Sequence, residues 1–244
     1  MTDAGDQRLI VGIPGPWENR TRFVQEIVGT SDRAFIFAGA ILFDRHAEDH
    51  IPLYFGDADG SVAKAFRIAG QGRLSEETLR RIAEHRSVAY LHFPLQVQAQ
   101  RLRILKFTRA VLGAGGFAVK LENSGAAHEA AQWIRQLESD DLFELYCASV
   151  VLIGDDAHYY SCGMHQFSLP ECQISKTMEI KAAAATINRF NVYQIAEQPD
   201  LDSGHTFSLT MEDPAYRLDL VPDHRHATSD LFHNRNGLWN LVEI

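Results

Sequence analysis

The sequence predicts an α/β protein with α+β character, a mixed and partly parallel β-sheet flanked by helices. Three observations carry that prediction. Short apolar runs of strand length alternate with amphipathic stretches of helix length, the pattern of a layered sheet. Near residues 34–55 and 205–221, strand-like runs follow one another directly, which adds antiparallel pairs. Hydrophobic residues make up 45% and charged residues 23% of the 244 residues, the balance of an ordinary globular chain with a real core.

"RLIVGIPGPW" is an apolar run broken by Gly and Pro, so a strand and then a loop. "NRTRFVQEIVG" places Phe23, Val24, Ile27 and Val28 on one helical face, with Asn19 as N-cap and Gly29 as stop. "RAFIFAGAILFD" and "HIPLYFGDAD" are strands around a polar turn. "SVAKAFRIAG" aligns Val62, Ala65, Phe66 and Ala69. "SEETLRRIAEHR" has Ser75 as cap, Glu76 and Glu77 at the positive end of its dipole and His85 and Arg86 at the negative end. "SVAYLHFPL" is a buried strand. "QVQAQRLRILKFTRAVLGAGG" is a long helix with Leu102, Leu105, Thr108, Val111 and Leu112 inward. The strand "FAVKLENSG" is expected at the centre of the sheet, followed by the helix "AAHEAAQWIRQLES". "LFELYCASVVLIGDD" runs from helix into strand, and "HYYSCGMHQFSL" is a strand or hairpin. "SKTMEIKAAAATINRFNVYQIAEQ" is a long helix, "HTFSLTMEDPAYRLDLV" holds two strands, and "FHNRNGLWNLVEI" docks Leu238, Trp239, Leu241 and Ile244 on the core. There is no internal repeat and no linker, so residues 1–244 are expected to form a single domain. A division into two lobes would fall near Ala148.

Net charge is 23 − 32 = −9, which disfavours a nucleic-acid partner, because phosphate binding needs a basic stripe. The densest basic run holds Arg101, Arg103, Lys106 and Arg109, spread around a helix as a solvated face. No apolar run has signal-peptide length or the about 18 residues of a membrane span. Three cysteines, an odd number, argue against a disulfide framework. A reduced, cytoplasmic protein without a membrane anchor is the expectation.

Several segments resemble an uncharacterised bacterial family, Domain of Unknown Function forty-two sixty-one. They are "GIPGPW", "FAGAIL", "AFRIAGQGRLSEE", "GAGGFAVKLENSGAAH", "GMHQFSLPE", "NRFNVYQI" and "FHNRNGLW". The resemblance spans nearly the whole chain. It implies a bacterial cytoplasmic domain, attaches no reaction to it and supplies no catalytic residues.

Candidate sites must therefore come from physical chemistry. "GIPGPW" can aim backbone N–H groups at an anion, but it lacks the lysine of a P-loop, and Pro14 and Pro16 remove two donors; a rigid turn with Trp17 on the core is the plainer reading. In "KLENSGAAHEAAQW", Ser124 would open the helix and His128 would sit in its first turn, close to Glu122 at a strand's carboxyl end. That is where open parallel sheets gather ligands. The same residues equally suit a capped helix with a structural histidine. In "YSCGMHQFSLPEC", Cys162 and His165 lie three apart, with Cys172 beyond; the spacing is weak for zinc, and Cys162 and Met164 would face the core with His165 on the other side. Asn188 and Asn191 share a helix face and either bond buried groups or line a pocket. A metal set using His165 with His205, His224, His226 or His233 is conceivable but not required by spacing.

The residues favour a non-catalytic protein- or ligand-binding protein, adaptor-like or immunity-like, with a protein partner and no cofactor or metal. The alternative is an enzyme whose pocket is built from Glu122, Ser124, His128 and His165, with Asn188 and Asn191 as further lining.

Overall fold

A computed structural model describes residues 7–244, and the chain divides into two compact units that meet at Asp140 and Asp141. The first unit contains β1 (Arg8–Gly15), α1 (Arg20–Thr30), β2 (Phe35–Ala38), β3 (Ile41–Asp44), β4 (Asp49–Asp57), α2 (Val62–Gly70), α3 (Glu76–Ala83), β5 (Ser87–Pro94), α4 (Val97–Gly113), β6 (Ala118–Leu121), β7 (Ala127–Glu129) and α5 (Ala130–Glu138). Its strands form one sheet in the order β2-β3-β4-β5-β1-β6-β7, and every pair is antiparallel. The alternation of strands and helices suggested parallel pairs here. Instead, strands that run the same way, such as β1 and β2 joined through α1 or β5 and β6 joined through α4, are never neighbours, because an antiparallel strand always lies between them.

Alternation along the strands sorts the two faces. Leu9, Val11 and Ile13 of β1 and Leu91 and Phe93 of β5 point to one side and are fully buried, as are Phe23, Ile27, Ile104, Phe107 and Trp133. Each such side chain contributes about 1.5–3 kcal/mol. On α4, Leu102 is exposed, contrary to the inward face expected for it, and Ile104 and Phe107 take the core positions. The basic residues of α4 are paired: Arg103 takes both oxygens of Asp49 at 2.9 and 2.8 Å, and Lys106 meets Asp44 at 2.8 Å. On the other face, α2 and α3 cover Val88, Ala118 and Ala127. The caps at Asn19 and Ser75 form as expected, with Asn19 accepting from Arg22 N–H and Ser75 from Thr78 N–H. β6 lies inside the sheet between β1 and β7, and Ala118, Val119 and Leu121 are fully buried.

The second unit contains α6 (Leu142–Ser149), β8 (Val151–Gly154), β9 (His158–Cys162), a 3₁₀ turn (Met164–Phe167), β10 (Glu171–Ser175), α7 (Ile180–Glu197), β11 (Thr206–Phe207), β12 (Tyr216–Val221) and β13 (Leu238–Glu243). The sheet order is β11-β12-β13-β10-β9-β8. This sheet is mixed: β10 and β13 run parallel, with Cys172 opposite Trp239 and Ile174 opposite Leu241. The crossover helix α7 buries Ala183, Ile187 and Phe190 against Cys172, Ile174, Leu218, Trp239 and Leu241. Ser175 does not open that helix as expected. It ends β10, and Glu179 caps α7 by accepting from Lys181 and Ala182 N–H. Seven α-helices and two sheets among the described residues make the α/β class plain.

Candidate functional site

The first unit does not assemble the pocket expected around Glu122. The stretch "AAHEAAQW" reads as helix, but its first residues form β7, and α5 begins only at Ala130. Ser124 therefore caps no helix. It is buried in the tight turn joining β6 to β7, where Gly125 N–H donates to Leu121 C=O and Ser124 Oγ accepts from Ala126 N–H at 3.4 Å. Gly125 holds a φ of +72° in that turn, which favours glycine. The register places His128 opposite Val119 and Ala127 opposite Lys120. His128 thus leaves the sheet on the side of Val119 and is fully buried, its ring 5.8 Å from that of Trp133. Glu122 lies on the side of Lys120 and pairs with its ammonium. The two residues of the expected pocket face opposite sides of one sheet.

Tyr54, Tyr90, Gly12 and Lys120 form one row across β4, β5, β1 and β6. Gly12 is required there, since a Cβ on it would stand 2.7 Å from Glu122 Oε1 and 3.3 Å from the Tyr90 ring. Tyr54 is 65% exposed, with its ring 6.2 Å from that of Tyr90. Burial, then Glu122 and Asp59, push the Tyr90 phenol above its ordinary range. Pro52 and Ile41, opposite each other on β4 and β3, extend the same surface and are also exposed.

The second unit does assemble a carboxylate–histidine cluster, on Glu171. This residue opens the buried strand "ECQIS" and is 3% exposed. Its Oε2 accepts from Ser161 Oγ at 2.8 Å. Its Oε1 accepts from Gly163 N–H at 2.9 Å, from Asn234 Nδ2 at 3.2 Å and from His165 Nδ1 at 3.2 Å. Gly163, at a φ of +129°, turns the chain so that the 3₁₀ segment folds back toward the strand. His165 is consequently buried, as are Cys162 and Met164, and turns its ring onto Glu171, where the strand reading expected it to face away from the core. Asn234 extends the cluster by donating to Leu169 C=O at 2.9 Å. Asp223 Oδ2 accepts from Asn234 N–H at 2.9 Å and lies 3.6 Å from His233 Nδ1. Thus "GMHQFSLPE" and "FHNRNGLW" meet at one buried carboxylate. Sequence reading nominated neither Glu171 nor Asn234; the available signal was an acidic residue flanked by core residues in a strand.

The cluster holds no ready nucleophile. Burial, then the charge of Glu171, pushes the thiols of Cys162 and Cys172 well above their ordinary range. All three cysteines are free. Among the described residues no group of three or more His, Cys, Asp or Glu side chains is placed to hold a metal ion, including the histidines at 205, 224, 226 and 233. Asn188 and Asn191 belong to a different network. Tyr146 OH donates to Asn188 Oδ1 at 2.8 Å and accepts from Asn191 Nδ2 at 3.2 Å, while Gln194 Nε2 donates to Asn191 Oδ1. Asn188 also lines an open depression of about 360 Å³ with Phe143, Ala185, Arg189 and Val192. No helix is long and apolar enough to cross a membrane among the described residues. Comparison with family models, curated proteins and solved structures finds no match to this chain.

Proposed function

We propose that the chain is a bacterial cytoplasmic binding protein without catalytic activity, of the kind implied by its resemblance to Domain of Unknown Function forty-two sixty-one. The observation that carries this reading is the outward face of β3, β4 and β5. Ile41, Pro52 and Tyr54 are exposed there, while α2 and α3 cover the same face at Val88 and reach as far as Tyr90. Contiguous exposed apolar and aromatic side chains of this kind suit a protein partner. The enzymatic alternative draws less support, because Glu122 and His128 face opposite sides of the sheet and Glu171 is saturated by five hydrogen bonds, one of them from His165 N–H.

The test is a photo-activated cross-linking residue placed at Tyr54 and, as control, at Ile68, which is equally exposed on α2. Irradiation in the host cell should give a discrete adduct from position 54 and none from position 68. Equal labelling from both positions, or none from either, would remove the support for this surface.

A further inference from the structure

A second surface, wholly within the second unit, is built at the carboxyl end of its parallel strand pair. The pairing of β10 with β13 stops at Ile174 and Leu241, whereas β13 continues beside β12 to Glu243. The chain leaves β10 at once: Lys176 N–H donates to Ala157 C=O, and Met178 N–H to Ser175 C=O. The strand that flanked Leu241 is therefore missing beside Val242 and Glu243, and a notch opens in the sheet. It forms a cavity of about 250 Å³, with His158, Ser175, Thr177, Tyr216, Asn240 and Glu243 supplying its polar lining. Ile174, Met178 and Leu241 form its apolar lining. The carboxyl ends of parallel strands are the usual location of ligands in such sheets. The volume lies below the range of roughly 300–1,000 Å³ for drug-sized ligands, so the occupant is small.

Charge decides its class. An anion would be the default beside a crossover helix, whose first N–H groups are positive. Here those groups are already filled, because Glu179 accepts from Lys181 and Ala182 N–H at 2.9 and 3.0 Å. Lys176 is turned away, its ammonium on Asp155 C=O and 5.6 Å from the Tyr159 ring. Glu243 remains as an exposed carboxylate on the cavity wall, and no lysine or arginine is among the lining residues. Burial raises the Tyr216 phenol, against a hydrogen bond from Thr186, and the charges of Glu243 and Asp213 add to the rise. The Ser175 and Thr177 hydroxyls, 2.9 Å apart, offer acceptors at the rim.

We propose that the notch where β10 stops beside β13 binds a small organic ammonium ion, with Glu243 as its counter-charge. The site is independent of the sheet face in the first unit, and either reading can fail alone. The test uses the full chain in low salt, titrated with methylammonium or ethanolamine and, separately, with acetate, inorganic phosphate or glycerol. Amide signals are followed by NMR. The ammonium probes should move Ser175, Thr177, Val242 and Glu243 saturably. Glu243→Gln should weaken that binding by about tenfold, the loss of one charge-assisted contact. Glu197→Gln, which removes an exposed carboxylate outside the cavity, serves as a second variant and should retain ammonium binding, because the counter-charge is intact. Binding by acetate or phosphate at the same residues would overturn the proposal, as would ammonium shifts confined to other residues, or unchanged affinity in Glu243→Gln.

Discussion

Each unit contains a glutamate and a histidine six residues apart, and the two pairs end in opposite relations. Glu122 and His128 lie on either side of the β6–β7 hairpin and project to opposite faces of the sheet. His165 and Glu171 lie on either side of a 3₁₀ turn and share a hydrogen bond in the core. Spacing alone does not separate these outcomes. The element between the two residues does. A hairpin that pairs Lys120 with Ala127 fixes side-chain direction by strand parity, whereas Gly163 and the 3₁₀ turn fold the chain back on itself.

The energetic consequences differ accordingly, and the sharpest contrast comes from Glu171. Glu171→Ala leaves Ser161 Oγ, Gly163 N–H, His165 Nδ1 and Asn234 Nδ2 without their common acceptor in a buried site. The expected loss is about 3–5 kcal/mol in urea denaturation. A loss under about 1 kcal/mol would mean that the cluster is not a structural hub. His128→Ala comes next: it empties a fully buried position beside Trp133 and should cost about 2–3 kcal/mol through cavity formation.

Acidification probes smaller terms. The two backbone N–H groups of His158 and Ala157, with Arg225, hold the Asp155 carboxyl down at about 2 against burial. Its folded value is depressed, so its contribution is complete above the ordinary carboxylate range and is lost as pH falls toward 2. In the first unit, burial and then Arg8 hold His92 below its ordinary value of 6.5. That contribution is complete above pH 6.5 and is lost as pH falls below it. Thermal midpoints should therefore decline in two windows. His92→Gln should flatten the upper one and Asp155→Asn the lower one, each by less than about 1 kcal/mol after solvent screening. The smallest effect is expected from Glu122→Ala, within about 0.5 kcal/mol, since its half-buried ion pair with Lys120 keeps contact with solvent on both sides.

Local chemistry was legible in the sequence wherever the partner lies nearby. The Asn19 and Ser75 caps were readable because each side chain bonds a backbone N–H three residues on. The α/β class was readable from periodicity, and the core role of Leu238, Trp239 and Leu241 from their apolar character, but Ile244, expected to dock with them, lies beyond the end of β13 and is exposed. Leu102 was misread because the buried stripe of α4 runs from Val97 through Ile104, Leu105, Thr108 and Val111 and leaves position 102 outside it; the other inward positions expected, Leu105, Thr108, Val111 and Leu112, are buried. His128 was misread because an alanine-rich stretch with high helix propensity yields to pairing with Val119 and Lys120 in a hairpin. Glu171 was not nominated because Asn234, one of its donors, lies 63 residues away, and no local pattern announces such a contact. Of the residues nominated for a pocket, Asn188 and Asn191 do share a face, and their partner is Tyr146.

A pair of double-mutant cycles tests the contrast most directly. Glu171→Ala with His165→Ala, and Glu122→Ala with His128→Ala, each yield a coupling free energy from urea denaturation. The account predicts a coupling above about 1 kcal/mol for the buried pair and one within about 0.3 kcal/mol of zero for the pair on opposite faces. Comparable couplings in the two pairs, or the larger one at Glu122 and His128, would contradict it.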